Sequence, residues 1–255
     1  MSGAFGTFLG KERRETFKTW RLWVLPGILL FLGLTSPVLT KLTPELLRAT
    51  ANSQPGVIIR FPPQVARDAY LQFMGNLGQL VTIAVIVVGA ATISAERKSG
   101  TAILVLTKPI SRAAFVVAKA ISQLTLLICA TILGSALCIA TTIALFGSAS
   151  IWPFVEAVAL WLAFAAMVLM LMVMLSAAMR SQAPAIGAGI GLWIALLFLT
   201  GFPLLRDHSP AGLMAANDAA LRGRDVALLW PLLTTALAGL AFLATAVWFM
   251  GRREL

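Results

Sequence analysis

Charge is scarce in this 255-residue chain: Asp, Glu, Lys and Arg make up 12% of it, against 59% hydrophobic residues, and mean hydropathy is +0.91. Water-facing domains carry about 25% charged residues, so a soluble globule is excluded. No HExxH, GxSxG, CxxC or paired-carboxylate pattern occurs, which removes metalloprotease and serine-hydrolase chemistry. The nearest approach to a phosphate loop, GTFLGKE at 6–12, is one residue short between its glycines and has Glu12 where magnesium needs a hydroxyl. The only histidine, His208, reads as a solvated loop residue. The two cysteines, Cys129 and Cys138, lie in one apolar run where they cannot reach each other, and read as small core residues. The chain is read as no enzyme, with no metal or cofactor of its own.

What it does contain is six long apolar runs, at about 22–40, 77–95, 120–146, 154–179, 184–205 and 229–250. Each is continuously apolar rather than alternating at period two, which favours helices over a β-barrel. The expected fold is all-α: one polytopic membrane domain over 1–255 with six transmembrane helices. The first run follows a charged segment, lacks a small-residue cleavage site and is long enough to span, so it is expected to be retained. The runs carry almost no ionisable group. Glu156 falls in the first turn of span four and Lys119 at the start of span three, so an ion-coupled mechanism has no obvious carrier.

If six spans alternate, thirteen of the 20 Lys and Arg residues lie on one side, in the N-terminal segment, residues 96–119, Arg180 and the tail. The positive-inside rule makes that side, and both termini, cytoplasmic. The net charge of +10 is then explained by orientation and contact with acidic lipid headgroups rather than by nucleic acid. Residues 4–21, with Phe5, Phe8, Leu9, Phe17 and Trp20 among charges, suit an amphipathic interfacial helix. The outer loop 41–76 is expected to form two short helices, one opening at Thr43 and Pro44 and one leading into span two. Residues 206–228 read as a polar outer loop. Gly187 and Gly191 form a small-xxx-small face on span five, for packing inside the bundle or across a dimer.

Residues 96–112, ERKSGTAILVLTKPISR, interrupt the apolar pattern with a stretch too short to span. Glu96 and Arg97 sit at the membrane boundary, Gly100 ends span two, and Thr101 to Thr107 can form about two helical turns. Lys108 and Pro109 turn the chain, and Ser111 is the N-cap of the next helix. Ile103, Leu104 and Leu106 are costly to leave in water and fit a groove on a soluble partner. Such a loop suits a membrane subunit that receives force from another protein.

Glu96, Gly100, Thr101, Leu104, Leu106, Pro109, Ser111, Arg112, Phe115 and Lys119, between spans two and three of six, resemble the permeases of type-2 ATP-binding-cassette exporters, also called type V exporters. TPELL and QFMGNLGQL resemble the subgroup that includes permeases of copper-site maturation. The resemblance implies an exporter permease in the prokaryotic-type cell membrane, with Glu96, Arg97, Gly100, Thr101, Ile103, Leu104, Leu106, Pro109 and Arg112 coupling it to a soluble ATPase. Two ATPase copies, which bind ATP and Mg, would pair with this permease and a second one, identical or different. Spans two and five would line the path of an amphiphilic, lipid-like or peptide cargo. The alternatives are a membrane anchor or signalling subunit without conventional cargo, and a stand-alone secondary transporter.

Overall fold

The structure, a computed structural model, describes residues 21–51, 63–98, 111–179, 181–224 and 227–252. The expected interfacial helix before residue 21 and the expected coupling helix at 101–107 lie outside the described residues. Those described are almost entirely helical and contain no strand. Six helices among them are long and apolar enough to cross a membrane. Span one is α1 (Arg21–Ala51). Span two is one continuous rod of α2 (Ala66–Asn76), a π-helical turn (Leu77–Val81) and α3 (Thr82–Lys98). Spans three, four and five are α4 (Arg112–Phe146), α5 (Trp152–Ala178) and α6 (Gln182–Leu199). Two short helices, α7 (Pro203–His208) and α8 (Ala211–Leu221), lead to span six, α9 (Leu229–Arg252). The expected all-α polytopic membrane fold is what the chain forms.

Hydrocarbon offers no partner for polar groups, so each span satisfies its own backbone, and many hydroxyls bond back to it, although those of Thr92 and Ser135 are buried with no partner among the described residues. Thr35, Thr40, Thr125, Thr131 and Thr141 each donate to the carbonyl four residues earlier, at 2.7–2.9 Å. Ser111 caps span three as expected: its backbone is extended and its hydroxyl accepts the Ala114 N–H at 3.1 Å. Gly147, at φ 85°, closes the same helix in the left-handed region that a side chain would resist.

The alternation of the spans is visible at both ends of the bundle. Arg112 Nη1 donates to Met250 O at 3.2 Å, which sets the start of span three beside the end of span six. Lys41 Nζ donates to Leu145 O at 2.7 Å, which sets the far part of span one beside the end of span three. We call the first meeting point the proximal end of the bundle and the second the distal end.

Three expectations about the distal side are corrected. Thr43 does not start a separate helix: its hydroxyl donates back to Leu39 O at 2.6 Å and α1 runs on through Pro44. The back-bonded hydroxyl leaves no side-chain acceptor for a new N-terminus, and Lys41 ties this stretch to α4. Span five does not reach residue 205. Gly201 N and Phe202 N donate to Phe198 O and Leu199 O at 3.1 Å, winding the chain into a turn before Pro203 opens α7. Residues 206–228 are not simply a polar loop, because α8 buries Leu213, Ala216 and Leu221 and packs on span four.

Close helix approach occurs where two backbones meet without side chains between them. A Cβ on Gly33 of span one would fall on the carbonyl oxygen of Gly134 in span three, and one on Gly134 would lie 2.8 Å from Leu29 Cβ. Span four sends Met172 between spans two and five, where a Cβ on Gly89 would be 2.7 Å from Met172 Cβ and one on Gly189 would meet Met172 Sδ. The glycine of span five that packs within the subunit is therefore Gly189. Gly187 and Gly191 are exposed, and a Cβ on either would have no heavy atom of a neighbouring element within 4 Å.

Candidate functional sites at the two ends of the bundle

The proximal end gathers the described part of the expected coupling region. Glu96 and Arg97 occupy the last turn of α3, and their side chains lie outside the described residues, as do Gly100, Thr101, Ile103, Leu104, Leu106 and Pro109. Arg112 is placed: besides Met250 O, its Nη1 reaches Gly251 O at 3.3 Å. The last carbonyls of a helix have no partner within it, and here a guanidinium from the start of span three supplies one. Arg252 in turn lies 4.3 Å from the Trp248 ring. Beneath these residues a second apolar cluster joins Ile93 of span two, Phe115 and Val116 of span three, Val173 and Ala177 of span four, and Ala246 and Met250 of span six. Lys119 is buried there, with its ammonium 5.0 Å from the Phe115 ring.

Ser176 is the functional candidate at this end that the sequence reading missed. Its hydroxyl donates to Ala90 O at 2.8 Å and accepts the N–H groups of Ile93 and Ser94, each at 3.0 Å. A side chain of span four thus holds the backbone of span two close to Glu96. Close approach at Gly89, one turn above, brings the hydroxyl within reach. The run VVGAATISA, with small residues facing a serine two spans later, is the signal in the sequence.

The distal end contains a cavity of about 860 Å³ between span two, the end of span five and α8. Span two contributes Asp68, Gln72, Asn76 and Gln79, at steps of three to four residues and so on one helical face. The π-helical turn begins just below Asn76, and Thr82 Oγ1 bonds the Leu77 carbonyl five residues earlier at 3.0 Å. Single π-turns are frequent at functional sites. Asn76 Nδ2 is held by Ser36 Oγ of span one at 3.0 Å, and α2 is fixed on span four by Tyr70 stacked on Phe154 at 4.2 Å.

Opposite this polar face stand Arg206 of α7, Asp218 of α8 and Arg222 just beyond it. Arg222 Nε pairs with Asp218 Oδ2 at 2.7 Å, and Arg206 Nε with Asp207 Oδ1 at 2.9 Å. The hydrogen bond to Asp218, then its charge, and more weakly the charge of Asp68, raise the Arg222 pKa above its ordinary value. Asn217, in the amide orientation its neighbours require, donates to Leu213 O at 3.0 Å and Ala157 O at 3.2 Å and anchors α8. Trp161 and Phe164 of span four line the apolar side, and the Trp161 indole N–H has no acceptor among the described residues. His208 is exposed, with Nδ1 3.0 Å from Leu204 O. Among the described residues no group of three or more His, Cys, Asp or Glu is placed to hold a metal.

The sequence profile described as ABC-2 family transporter protein matches residues 7–206, which takes in spans one to five and the loop between spans two and three. YxlG of Bacillus subtilis (strain 168), described as an uncharacterized transmembrane protein, is 25% identical over 249 residues and covers 96% of each chain. With a profile match over more than half of its length and six membrane-crossing helices, the chain belongs to the ABC-2 transporter family and is one of its multi-pass membrane proteins.

Proposed function

We propose that the chain is the permease subunit of an ATP-driven exporter in a prokaryotic-type cell membrane, with both termini and the proximal end in the cytoplasm. The observation that carries the reading is the family match across the segment that joins spans two and three, together with the position of that segment. It leaves α3 and returns at Arg112, which is tied to the tail of span six. A separate soluble ATPase, in two copies, binds ATP and Mg and docks on Ile103, Leu104 and Leu106; a second permease, the same or different, completes the assembly. ATPase closure moves span two, and the hydrogen bonds of Ser176 pass that movement to span four. The cargo is amphiphilic, and spans two and five flank its path.

Purification from its own cells in mild detergent tests the assembly. A soluble ATPase should co-purify at one copy per permease, and replacing Ile103, Leu104 and Leu106 with Asp should release it. Retained ATPase and undiminished ATP-driven transport in that variant would overturn the docking role. ATP turnover without movement of any lipid or peptide, in vesicles containing the complex, would favour an anchor or signalling subunit instead.

A further inference from the structure

Charge on the cavity lining is balanced: Arg206, Arg222 and Asp218 stand on one wall and Asp68 on the other. Each arginine uses only Nε in its ion pair, so among the described residues the Nη donors of both remain for an outside acceptor. Guanidinium forks of this kind match phosphate oxygens. Asp68 Oδ2 accepts the Val65 N–H at 2.9 Å, and the carboxylate enters no ion pair among the described residues. It is available to a cation. Gln72 and Gln79 add neutral amides on the same wall.

The cavity also has an apolar side and a place in the bilayer. Measured back from Ser94 at the proximal end, a hydrocarbon core of about 30 Å takes up about twenty residues of span two. Asn76 then falls near the distal boundary, with Gln79 just inside it and Gln72 and Asp68 outside. Leu71, Met74, Phe164, Leu197 and Met214 form apolar wall between the polar groups. Span five packs on α3, the proximal half of span two, and shares no comparable contact with α2. The two spans therefore part distally, beside the polar ladder, where α8 packs on both α2 and span five. Charged groups at headgroup depth with apolar wall running inward beside them suit a lipid, which carries its charge and its chains in that order, better than a peptide.

We infer that the distal cavity receives the headgroup of a zwitterionic aminophospholipid from the outer leaflet, its phosphate on the Nη groups of Arg206 and Arg222 and its ammonium on Asp68. This rests on the exporter reading for its meaning as a cargo or cargo-exit site, but the binding itself does not require the ATPase. A headgroup of net negative charge gains the same phosphate contacts and meets Asp68 and Asp218 as repulsion. Selectivity for the zwitterion is the expected signature.

The test uses the full-length subunit in detergent, titrated with dioleoylphosphatidylethanolamine or dioleoylphosphatidylglycerol, with bound lipid counted by native mass spectrometry. One phosphatidylethanolamine should be retained per subunit, with about tenfold preference over phosphatidylglycerol, equivalent to about one charge-assisted contact. Arg206→Gln combined with Arg222→Gln should cut phosphatidylethanolamine retention about tenfold or more. Asp68→Asn still accepts the Val65 N–H, and it should narrow the preference by letting phosphatidylglycerol bind better. A gain of binding cannot come from misfolding. Equal retention of the two lipids by the wild-type subunit, or an unchanged ratio in Asp68→Asn, would overturn the inference. The ATPase pull-down on the same preparations separates the two proposals. Lost lipid selectivity with the ATPase still bound overturns the lipid site alone, and retained selectivity without an ATPase overturns the exporter reading alone.

Discussion

The hydroxyl of Ser176 donates to the carbonyl oxygen of Ala90 across 2.8 Å, and that same oxygen accepts the Ser94 hydroxyl at 2.7 Å. Two side chains, one from span four and one from span two itself, converge on one backbone acceptor about one turn before the proximal end of span two's apolar run. With the two N–H groups that Ser176 accepts, spans two and four are joined by directional bonds rather than by packing alone. Hydrogen bonds between membrane helices average about 0.6 kcal/mol and reach about 1.7 kcal/mol, so the join is modest in energy and specific in position.

Ser176→Ala should therefore lower the unfolding free energy by only about 1 kcal/mol while loosening the end of span two. Hydrogen exchange reads this directly: the amides of Ile93 and Ser94 should exchange faster, and those of Val85 and Ile86 should not. Transport per ATP should fall while the ATPase stays bound. Unchanged exchange at Ile93 and Ser94 would show that Ser176 is packing filler.

Gly33 and Gly134 predict a different kind of loss. Leucine at either would have to displace a backbone carbonyl or the Leu29 backbone, and neither can yield without separating spans one and three. Overpacking of this kind costs about 1–3 kcal/mol and often more against backbone. Gly187→Leu and Gly191→Leu start from positions where a Cβ meets nothing within 4 Å, so the subunit should fold with unchanged melting temperature. Any shift they cause in oligomeric mass, read by light scattering in detergent, would assign that face to a second permease. A fold destabilised equally by all four would contradict the packing described.

These glycines mark the division between what the residues announced and what they did not. Six spans, the N-cap at Ser111 and the parity that puts residue 112 beside residue 250 follow from hydropathy, capping chemistry and alternation, all of which are local or count-based. The choice of Gly189 over Gly187 and Gly191 depends on which face of span five meets Met172, and an apolar helix with no polar side carries no such direction in its pattern. The distal cavity was partly legible, since Asp68, Gln72, Asn76 and Gln79 recur at helical spacing. Reading span two as starting at Leu77 cut that stripe in half. Residues 206–228 misled because their charges suggested water, whereas Leu213, Ala216 and Leu221 are spaced to bury one face of α8.

The π-helical turn can be tested by length. It holds one residue more per turn than the α-helix, and so sets the phase between Tyr70 and Phe73 above it and Val85 and Ile86 below, all of which are buried. Removing Gly78 would leave an ordinary α-turn with that phase kept, whereas adding one alanine after Gly78 should rotate α2 by about 100° relative to α3, breaking the Tyr70–Phe154 stack and turning the polar ladder from the cavity. Gly78→Ala meets nothing within 4 Å and should be neutral or stabilising by up to about 1 kcal/mol, the usual gain from replacing a helical glycine. Thermal melts of the insertion and of Gly78→Ala should differ in sign. If the insertion melts like the wild type, the length of this turn is not setting that phase.

Arg112 offers the sharpest distinction between a residue that shapes the proximal end and one that touches the ATPase. Its Nη1 bridges the carbonyls of Met250 and Gly251, so Arg112→Ala should fray the last turn of span six and speed amide exchange there even in the isolated subunit. Lysine has a single ammonium on a more flexible stem and should restore that protection only in part, because a planar fork loses less freedom for each bond it makes. In the complex, the alanine variant should transport more slowly while retaining the ATPase, since Ile103, Leu104 and Leu106 are untouched. Loss of the ATPase with normal exchange at the end of span six would reverse the assignment and make Arg112 a docking residue.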